Sequence, residues 1–195
     1  MKPLSIAAIQ LSLARKDNYS LVESKAREAI FRFPWLQMLV FSELAVGGAG
    51  AKNSSFFLSE YLDKLKELAK ELDIWLIPGS FYEKTEGGTF NTAPVINNKG
   101  ELVTKCRKLY PFLPYESGVE AGSEVCVFEV PGSGKVGIHI CYDLWFPETS
   151  RALAFQGAEV ILHPSLTDTI DRDVERAMVK ATAAQQQCYY IDVNA

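Results

Sequence analysis

A cysteine at the end of an apolar strand is the first candidate for chemistry in this chain. Cys141 follows the mostly apolar run Lys135–Ile140 and precedes tyrosine, aspartate and tryptophan. A side chain at such a strand end faces the ligand crevice of an α/β sheet. A thiol there can be a nucleophile, but only its thiolate attacks, and an ordinary cysteine is mostly protonated at neutral pH. Cys141 therefore needs a base close to it.

Two residue types can supply that base, and the sequence offers both. His139 lies two residues before Cys141 on the same strand face, but side chains at this spacing run parallel and do not point at each other. We therefore interpret His139 as a hydrogen-bonded core histidine in preference to a catalytic base. Glu43 follows a second apolar strand, Trp35–Phe41, and is the alternative base. His163 also ends a predicted strand, which leaves a pocket-lining role open for it.

The segments that must position these residues alternate between strand and helix patterns. Apolar runs bounded by turn residues predict strands, and apolar residues at helical spacing predict helices. The predicted order is strand Leu4–Leu11, a helix with Val22, Ala26, Ala29, Ile30 and Phe33 on one face, strand Trp35–Phe41, helix Leu58–Leu72, strand Ile74–Phe81, hairpin Thr92–Ile96 with Glu101–Cys106, hairpin Cys126–Val130 with Lys135–Ile140, helix Pro147–Phe155 capped by Asp143, strand Val160–His163, helix Asp171–Gln187 and strand Tyr189–Val193. This alternation favours a single α/β domain over residues 1–195, with layered mixed sheets, over an all-β fold.

Three segments of the chain resemble the nitrilase superfamily of carbon-nitrogen hydrolases in their residues, order and separation. They are Phe41–Leu44, Lys105–Glu116 and Ile140–Glu148. Each motif alone is a weak signal, whereas the three together are a strong one. The second segment is most similar to the aliphatic amidase and formamidase branch. The resemblance implies an α/β fold of the nitrilase-like αββα sandwich type with mixed sheets.

The same resemblance implies a function, the hydrolysis of a carbon-nitrogen bond in a small amide through a cysteine thioester. Carried over by motif, Glu43 is the base, Cys141 the nucleophile and Lys108 the cation, with Glu116 as a second glutamate that orients Lys108 or the substrate nitrogen. Lys108 and the backbone N–H of Tyr142 would meet the charge that builds on the carbonyl oxygen. The expected pocket or oxyanion residues are Tyr142, Trp145, Tyr115 and His163.

The substrate and the length of the chain leave alternatives open. The same triad serves a nitrilase, an N-carbamoyl amidohydrolase or acyl transfer to another acceptor, and pocket shape decides among them. Family members normally continue past Ala195, so we expect the sandwich to lack its last strands in this chain. If those strands are needed for turnover, the alternative is a non-catalytic sandwich acting in assembly or binding. Open sheet edges and the superfamily's habit of pairing subunits predict a homo-oligomer.

Composition limits the possible partners. A formal net charge of −4 gives no electrostatic reason to bind nucleic acid or an anionic membrane, and a small molecule fits better. The apolar runs are too short to span a bilayer, and the N-terminal run lacks the pattern of a secretory signal, so we expect a cytoplasmic protein. The four cysteines show no CxxC spacing and are expected to be free thiols. No metal or other cofactor is predicted.

Overall fold

Two β-sheets pack face to face in the computed structural model, which describes residues 2–14, 16–48 and 56–195. The first sheet contains β1 (Ile6–Ile9), β2 (Met38–Phe41), β3 (Trp75–Ile77), β4 (Phe81–Thr85), β5 (Gly88–Ile96) and β6 (Leu102–Arg107). Its order is β1-β2-β3-β5-β4, and β6 also pairs with β5. The second sheet contains β7 (Cys126–Val130), β8 (Gly134–Ile138), β9 (Val160–Ser165) and β10 (Tyr189–Asn194), in the order β10-β9-β8-β7. Both sheets mix parallel and antiparallel pairs.

Helices cover the outer faces of the two sheets. In the described residues these are α1 (Tyr19–Arg32) and α2 (Leu58–Glu71) on the first sheet, and α3 (Pro147–Phe155) and α4 (Asp171–Gln186) on the second. Helix α2 buries one stripe, formed by Leu58, Tyr61, Leu65, Leu68 and Ala69, and turns its charged residues to solvent. The predicted αββα sandwich of mixed sheets is confirmed. No helix within the described ranges is both long and apolar enough to cross a bilayer.

Strand β2 shows how the sequence builds the two internal layers. Met38 and Val40 contact the second sheet, whereas Leu39 and Phe41 contact the helices, because side chains alternate between the faces of a strand. All four are completely buried. A strand with two covered faces needs a continuous apolar run, which is the pattern in the sequence.

Several predicted strand boundaries were wrong. The single strand predicted for Ile74–Phe81 is broken into β3 and β4 by Pro78 and Gly79, and the strand predicted for Leu4–Leu11 is limited to β1. Proline lacks the N–H that a ladder needs, and Gly79 has a φ of 85°, in the region that favours glycine. Hairpin β4–β5 was not predicted because its turn falls among polar residues with little strand pattern.

The prediction of four free thiols was also wrong. Cys106 at the end of β6 and Cys126 at the start of β7 form a disulfide, with their Cα atoms 5.3 Å apart. The bond joins the two sheets. Cys141 and Cys188 remain free. A pair separated by 20 residues has no spacing signature, so the sequence alone did not indicate it.

The break at Gly79 lets the segment that carries Glu43 approach the sheet closely. A Cβ atom at Gly79 would collide with the carbonyl oxygen of Ser42, and the Ser80 hydroxyl accepts a hydrogen bond of 3.2 Å from the backbone N–H of Leu44. Gly79 and Ser80 therefore fix the backbone on both sides of Glu43.

Substitution of Gly79 tests this close approach. We expect Gly79→Ala to lower the free energy of unfolding by about 2–4 kcal/mol, because a strained φ and a steric collision add. Gly118→Ala is the matched control, since Gly118 has a φ of 82° but open space at its Cβ position. It should cost only about 1 kcal/mol. Urea unfolding measures both, and equal losses would contradict the close approach.

Candidate active site

A buried ammonium group lies between two buried carboxylates. The Lys108 Nζ donates to Glu43 Oε1 at 2.8 Å and to Glu116 Oε2 at 2.7 Å. The exposed fractions of Lys108, Glu43 and Glu116 are 1%, 4% and 6%. Three of the residues suggested by sequence therefore come together from two distant parts of the chain, Glu43 after β2 and both Lys108 and Glu116 in the segment after β6.

Asn91 on β5 completes this cluster, and sequence reasoning missed it. Its Nδ2 donates to Glu43 Oε1 at 2.9 Å and to Glu116 Oε1 at 2.7 Å. The backbone carbonyl oxygen of Asn91 accepts from the backbone N–H of Lys108 at 2.8 Å. The one available signal was its position directly before the predicted strand Thr92–Ile96. Tyr82 is also buried there, and its pKa is raised by burial and by the charges of Glu116 and Glu43.

The Cys141 thiol is neutral in the resting site. Burial raises its pKa to about 12, with a further contribution from the Glu43 carboxylate that Lys108 only partly opposes. Cys141 has a φ of 47°, which is unusual for a residue with a side chain and is often found at functional positions. Its sulfur lies 3.9 Å from the Thr167 hydroxyl. The Cys141 thiol is therefore protonated and close enough to Glu43 for that carboxylate to raise its pKa.

The charge on Lys108 is maintained by its neighbours. Burial acts to lower its pKa, but the negative charges of Glu43 and Glu116 and the hydrogen bond to Glu116 outweigh burial, so the pKa of Lys108 is raised well above its ordinary value. A basic group whose pKa is higher in the folded protein than in the unfolded chain stabilises the fold fully at pH values below its pKa in the unfolded chain. That stabilisation is lost only as the pH rises through the pKa of the group in the folded protein. Lys108 is therefore a permanent cation at neutral pH.

Asp143 has a different role from the helix cap that we predicted. Its Oδ1 accepts from the backbone N–H groups of Leu109 and Tyr110, both at 2.9 Å, and its Oδ2 accepts from Ile140 N at 2.9 Å. Burial raises the pKa of Asp143 to about 6, although these donors oppose the shift. The carboxylate ties the segment after Lys108 to the strand end that carries Cys141. Pro147 begins α3 instead, with no side-chain cap hydrogen bond.

The two histidines lie behind the cysteine. His163 is completely buried, so it does not line an open pocket, the role that the sequence left open for it. Its Nε2 lies 2.9 Å from the Cys141 carbonyl oxygen, and its Nδ1 lies 2.9 Å from Asp192 Oδ1. His139 contacts Tyr190 and the Thr149 hydroxyl. Burial, followed by repulsion from His163, lowers the pKa of His139 well below its usual value, so this ring is the neutral core histidine that we predicted.

Aromatic side chains pack around Tyr142, which follows Cys141 in the chain. Tyr142 packs against Phe112, Trp145 and Phe146, and Trp145 donates to Glu175 at 3.4 Å. Tyr115 stacks on Phe112, but 73% of it is exposed. Tyr142 and Trp145 thus lie next to the predicted nucleophile, whereas Tyr115 lies at the surface. No cluster of metal-ligating side chains occurs within residues 2–14, 16–48 and 56–195.

Solved structures of other proteins share this fold. An amidase from Nesterenkonia sp. is similar with a TM-score of 0.89 and 22% identity, over 98% of this chain and 75% of that one. Nit3 of Saccharomyces cerevisiae, a member of branch 10 of the nitrilase superfamily, has a TM-score of 0.83 and 23% identity, over 98% of this chain and 75% of its own. At these identities the likeness concerns the fold alone.

Sequence comparison then identifies the family. The carbon-nitrogen hydrolase family model matches residues 5–195, and the chain belongs to this family. It is 32% identical over 174 residues to a formamidase of Bacillus cereus (strain G9842), and 29% identical over 171 residues to a formamidase of Bacillus anthracis. Each alignment covers 83% of this chain and 51% of the relative. The chain therefore spans about half the length of the curated relatives that it matches.

Removal of the buried cation tests the electrostatic description. We expect Lys108→Met to lower the free energy of unfolding by about 3–5 kcal/mol, because two buried carboxylates lose their counter-charge. Since the pKa of Lys108 is raised, the deficit should persist from pH 7 to about pH 10. Lys105→Met is the control: Lys105 also pairs with a glutamate, at 2.5 Å, but its side chain is 37% exposed.

The control should cost at most about 1 kcal/mol. Chemical denaturation followed by circular dichroism measures both variants. Similar losses for Lys108→Met and Lys105→Met would show that the central cation is not stabilised by its buried partners.

Proposed function

We propose that this chain carries the catalytic site of an amidase that hydrolyses short amides through a thioester on Cys141. The observation that carries the proposal is the Lys108 ammonium held between Glu43 and Glu116, beside a thiol with a raised pKa. The family supports hydrolysis of a carbon-nitrogen bond, and the site supplies an acid-base group, a cation and a nucleophile for it.

The first step forms the acyl-enzyme. Glu43 accepts the Cys141 proton as the sulfur attacks the amide carbon, which avoids a free thiolate in a site where burial disfavours one. Lys108 and Asn91 both donate to Oε1 of Glu43, so we assign the role of base to Oε2. The resulting oxyanion is met by Lys108 and the backbone N–H of Tyr142, and a donor of this kind contributes about 3 kcal/mol or more.

The second step releases the products. The tetrahedral species collapses as its carbon-nitrogen bond breaks, and Glu43 returns the proton to the nitrogen, which leaves as ammonia. A thioester remains on Cys141. Glu43 then takes a proton from water, whose oxygen attacks the thioester, and returns that proton to the sulfur as the carbon-sulfur bond breaks. One carboxylate thus acts as base and then acid in each half of the reaction, and the atoms balance as amide plus water giving acid plus ammonia.

Glu116 and Asn91 act as positioning residues in this proposal. Glu116 accepts from Lys108, Asn91 and the backbone N–H of Phe112, so its carboxylate has little capacity left for chemistry. Asn91 bridges the two carboxylates. Together they hold Lys108 at one fixed distance from the base.

The burial of the site favours a short acyl group. Cys141 is 7% exposed, and the three charged residues are exposed still less. Such a site accommodates few atoms beyond the amide itself. The formamidase relatives lead to formamide as the first substrate to try, followed by acetamide. Cytoplasmic localisation and self-association remain predictions from the sequence.

Ammonia release from a panel of compounds tests the proposed function. We expect kcat/KM to be highest for formamide or acetamide and to fall for longer amides, short nitriles and N-carbamoyl amines. Cys141→Ser should reduce kcat by roughly a thousandfold, because it removes the nucleophile. Cys188→Ser is the matched control, since Cys188 is the other free cysteine. It should retain wild-type turnover.

Two results would contradict the proposal. Amide turnover by Cys141→Ser at the rate of Cys188→Ser would remove the nucleophile assignment. Turnover of nitriles or N-carbamoyl amines in preference to every amide would replace the substrate class.

A further inference from the structure

His163 makes two short contacts to atoms that can only accept hydrogen bonds. Its Nε2 lies 2.9 Å from the Cys141 carbonyl oxygen, and its Nδ1 lies 2.9 Å from Asp192 Oδ1. A carbonyl oxygen never donates, and an ionised carboxylate does not either. A neutral imidazole has one N–H, so one of its nitrogens would place a lone pair against an oxygen at hydrogen-bonding distance. The doubly protonated imidazolium satisfies both contacts.

Asp192 is held in the ionised form by its neighbours. Burial acts to raise its pKa, but His163 and Arg172 lower it, and the net shift is downward. Arg172 Nη2 donates to Asp192 Oδ2 at 2.5 Å. Because the always-charged Arg172 guanidinium donates to the Asp192 carboxylate, the extra proton of this pair belongs on His163.

The surrounding charges balance a buried imidazolium. Arg172 on α4 also donates to Glu175 Oε2 at 3.1 Å, so that two cations and two carboxylates form one chain. Glu175 in turn accepts from the Thr167 hydroxyl at 3.0 Å, next to the Cys141 sulfur. Other titratable rings facing His163 are Tyr190 on β10 and His139, at centroid distances of 5.8 and 5.0 Å. The pKa of Tyr190 is raised and the pKa of His139 is lowered, so both rings are neutral.

The carbonyl that His163 contacts belongs to a peptide group with a second function. The Cys141 C=O and the Tyr142 N–H are the two ends of one planar trans peptide, and they point in opposite directions. A charged donor on the oxygen polarises the group and makes its N–H a stronger donor. His163 approaches from the buried side, so the Tyr142 N–H points away from it. That N–H is the oxyanion donor of the proposed mechanism.

We propose that His163 is a positioning residue whose doubly protonated ring, held by Asp192, fixes and polarises the Cys141–Tyr142 peptide group for oxyanion stabilisation. The catalytic part rests on the proposed amidase function, whereas the charge of His163 does not. His163 touches neither the substrate nor the reacting sulfur. It acts through the peptide bond that follows the nucleophile.

The charge state is tested directly by nitrogen NMR. The chain has two histidines, so a ¹⁵N-histidine-labelled sample gives two ring systems, which His139→Gln assigns. We expect both nitrogens of His163 to carry protons at pH 7.5 and His139 to carry one. In Asp192→Asn, His163 should become neutral while its Nε2–H still reaches the Cys141 oxygen. A His163 ring with one bare nitrogen in the wild type would overturn the proposal.

The catalytic role is tested by separating oxyanion formation from thiol reactivity. His163→Gln keeps a neutral donor and loses the charge, and Asp192→Asn does so without removing the ring. Each should lower kcat for acetamide by about tenfold, with KM within about threefold, and His163→Ala should lower kcat by roughly a hundredfold. Alkylation of Cys141 by iodoacetamide forms no oxyanion, so its rate in the first two variants should stay within about threefold of wild type.

The controls distinguish this role from a structural one. His139→Gln removes the neighbouring buried ring and should leave kcat within about threefold of wild type. Equal losses of turnover and alkylation in His163→Gln would mean that the cysteine is merely displaced, and would overturn the proposal. Unchanged turnover in Asp192→Asn would do the same. A wild type that turns over no amide would end the catalytic part, and the NMR result would still decide the charge.

Discussion

The Lys108 ammonium lies in the interior between Glu43 and Glu116, and the remaining features of the site follow from the need to keep those charges paired. A lone buried charge is strongly unfavourable, so the three groups are stable only together. Asn91 supplies further donors, and Lys108 is left as a permanent cation. Burial and the Glu43 carboxylate raise the pKa of the Cys141 thiol, so it stays protonated, and in the proposed mechanism Glu43 removes its proton. Burial thus accounts both for the pairing of the charged groups and for the protonated state of the thiol.

The sandwich brings these groups together from strand ends that are distant in sequence. Glu43 follows β2 and Lys108 follows β6 in one sheet, whereas Cys141 follows β8 in the other. The Asp143 carboxylate joins the two sheets at this point, because it binds backbone N–H groups after Lys108 and before Cys141. Behind Cys141, the chain of His163, Asp192, Arg172 and Glu175 anchors the backbone of the second sheet to α4. Rigid strands and paired charges therefore fix the reacting atoms from both sides.

The sequence predicted the αββα fold and most of its elements because apolar periodicity and the order of three motifs are local or nearly local signals. The same motifs nominated Glu43, Lys108 and Cys141, and the structure brings the two charged residues into contact. Asn91 was missed since one asparagine in a strand region has no distinctive pattern. Asp143 was assigned to a helix cap because its real partners, Leu109 and Tyr110, lie more than thirty residues away. The disulfide and the double contact of His163 likewise depend on tertiary proximity, which no spacing rule reports.

The central claim is that the amide carbon becomes bonded to the Cys141 sulfur during turnover. Peptide mass spectrometry of the protein, acid-quenched while it hydrolyses acetamide, tests this most directly. The account predicts an acetyl group on the peptide that contains Cys141 and none on the peptide that contains Cys188, with the label absent when acetamide is omitted. Steady release of ammonia from acetamide while Cys141 never carries the acyl group would contradict it.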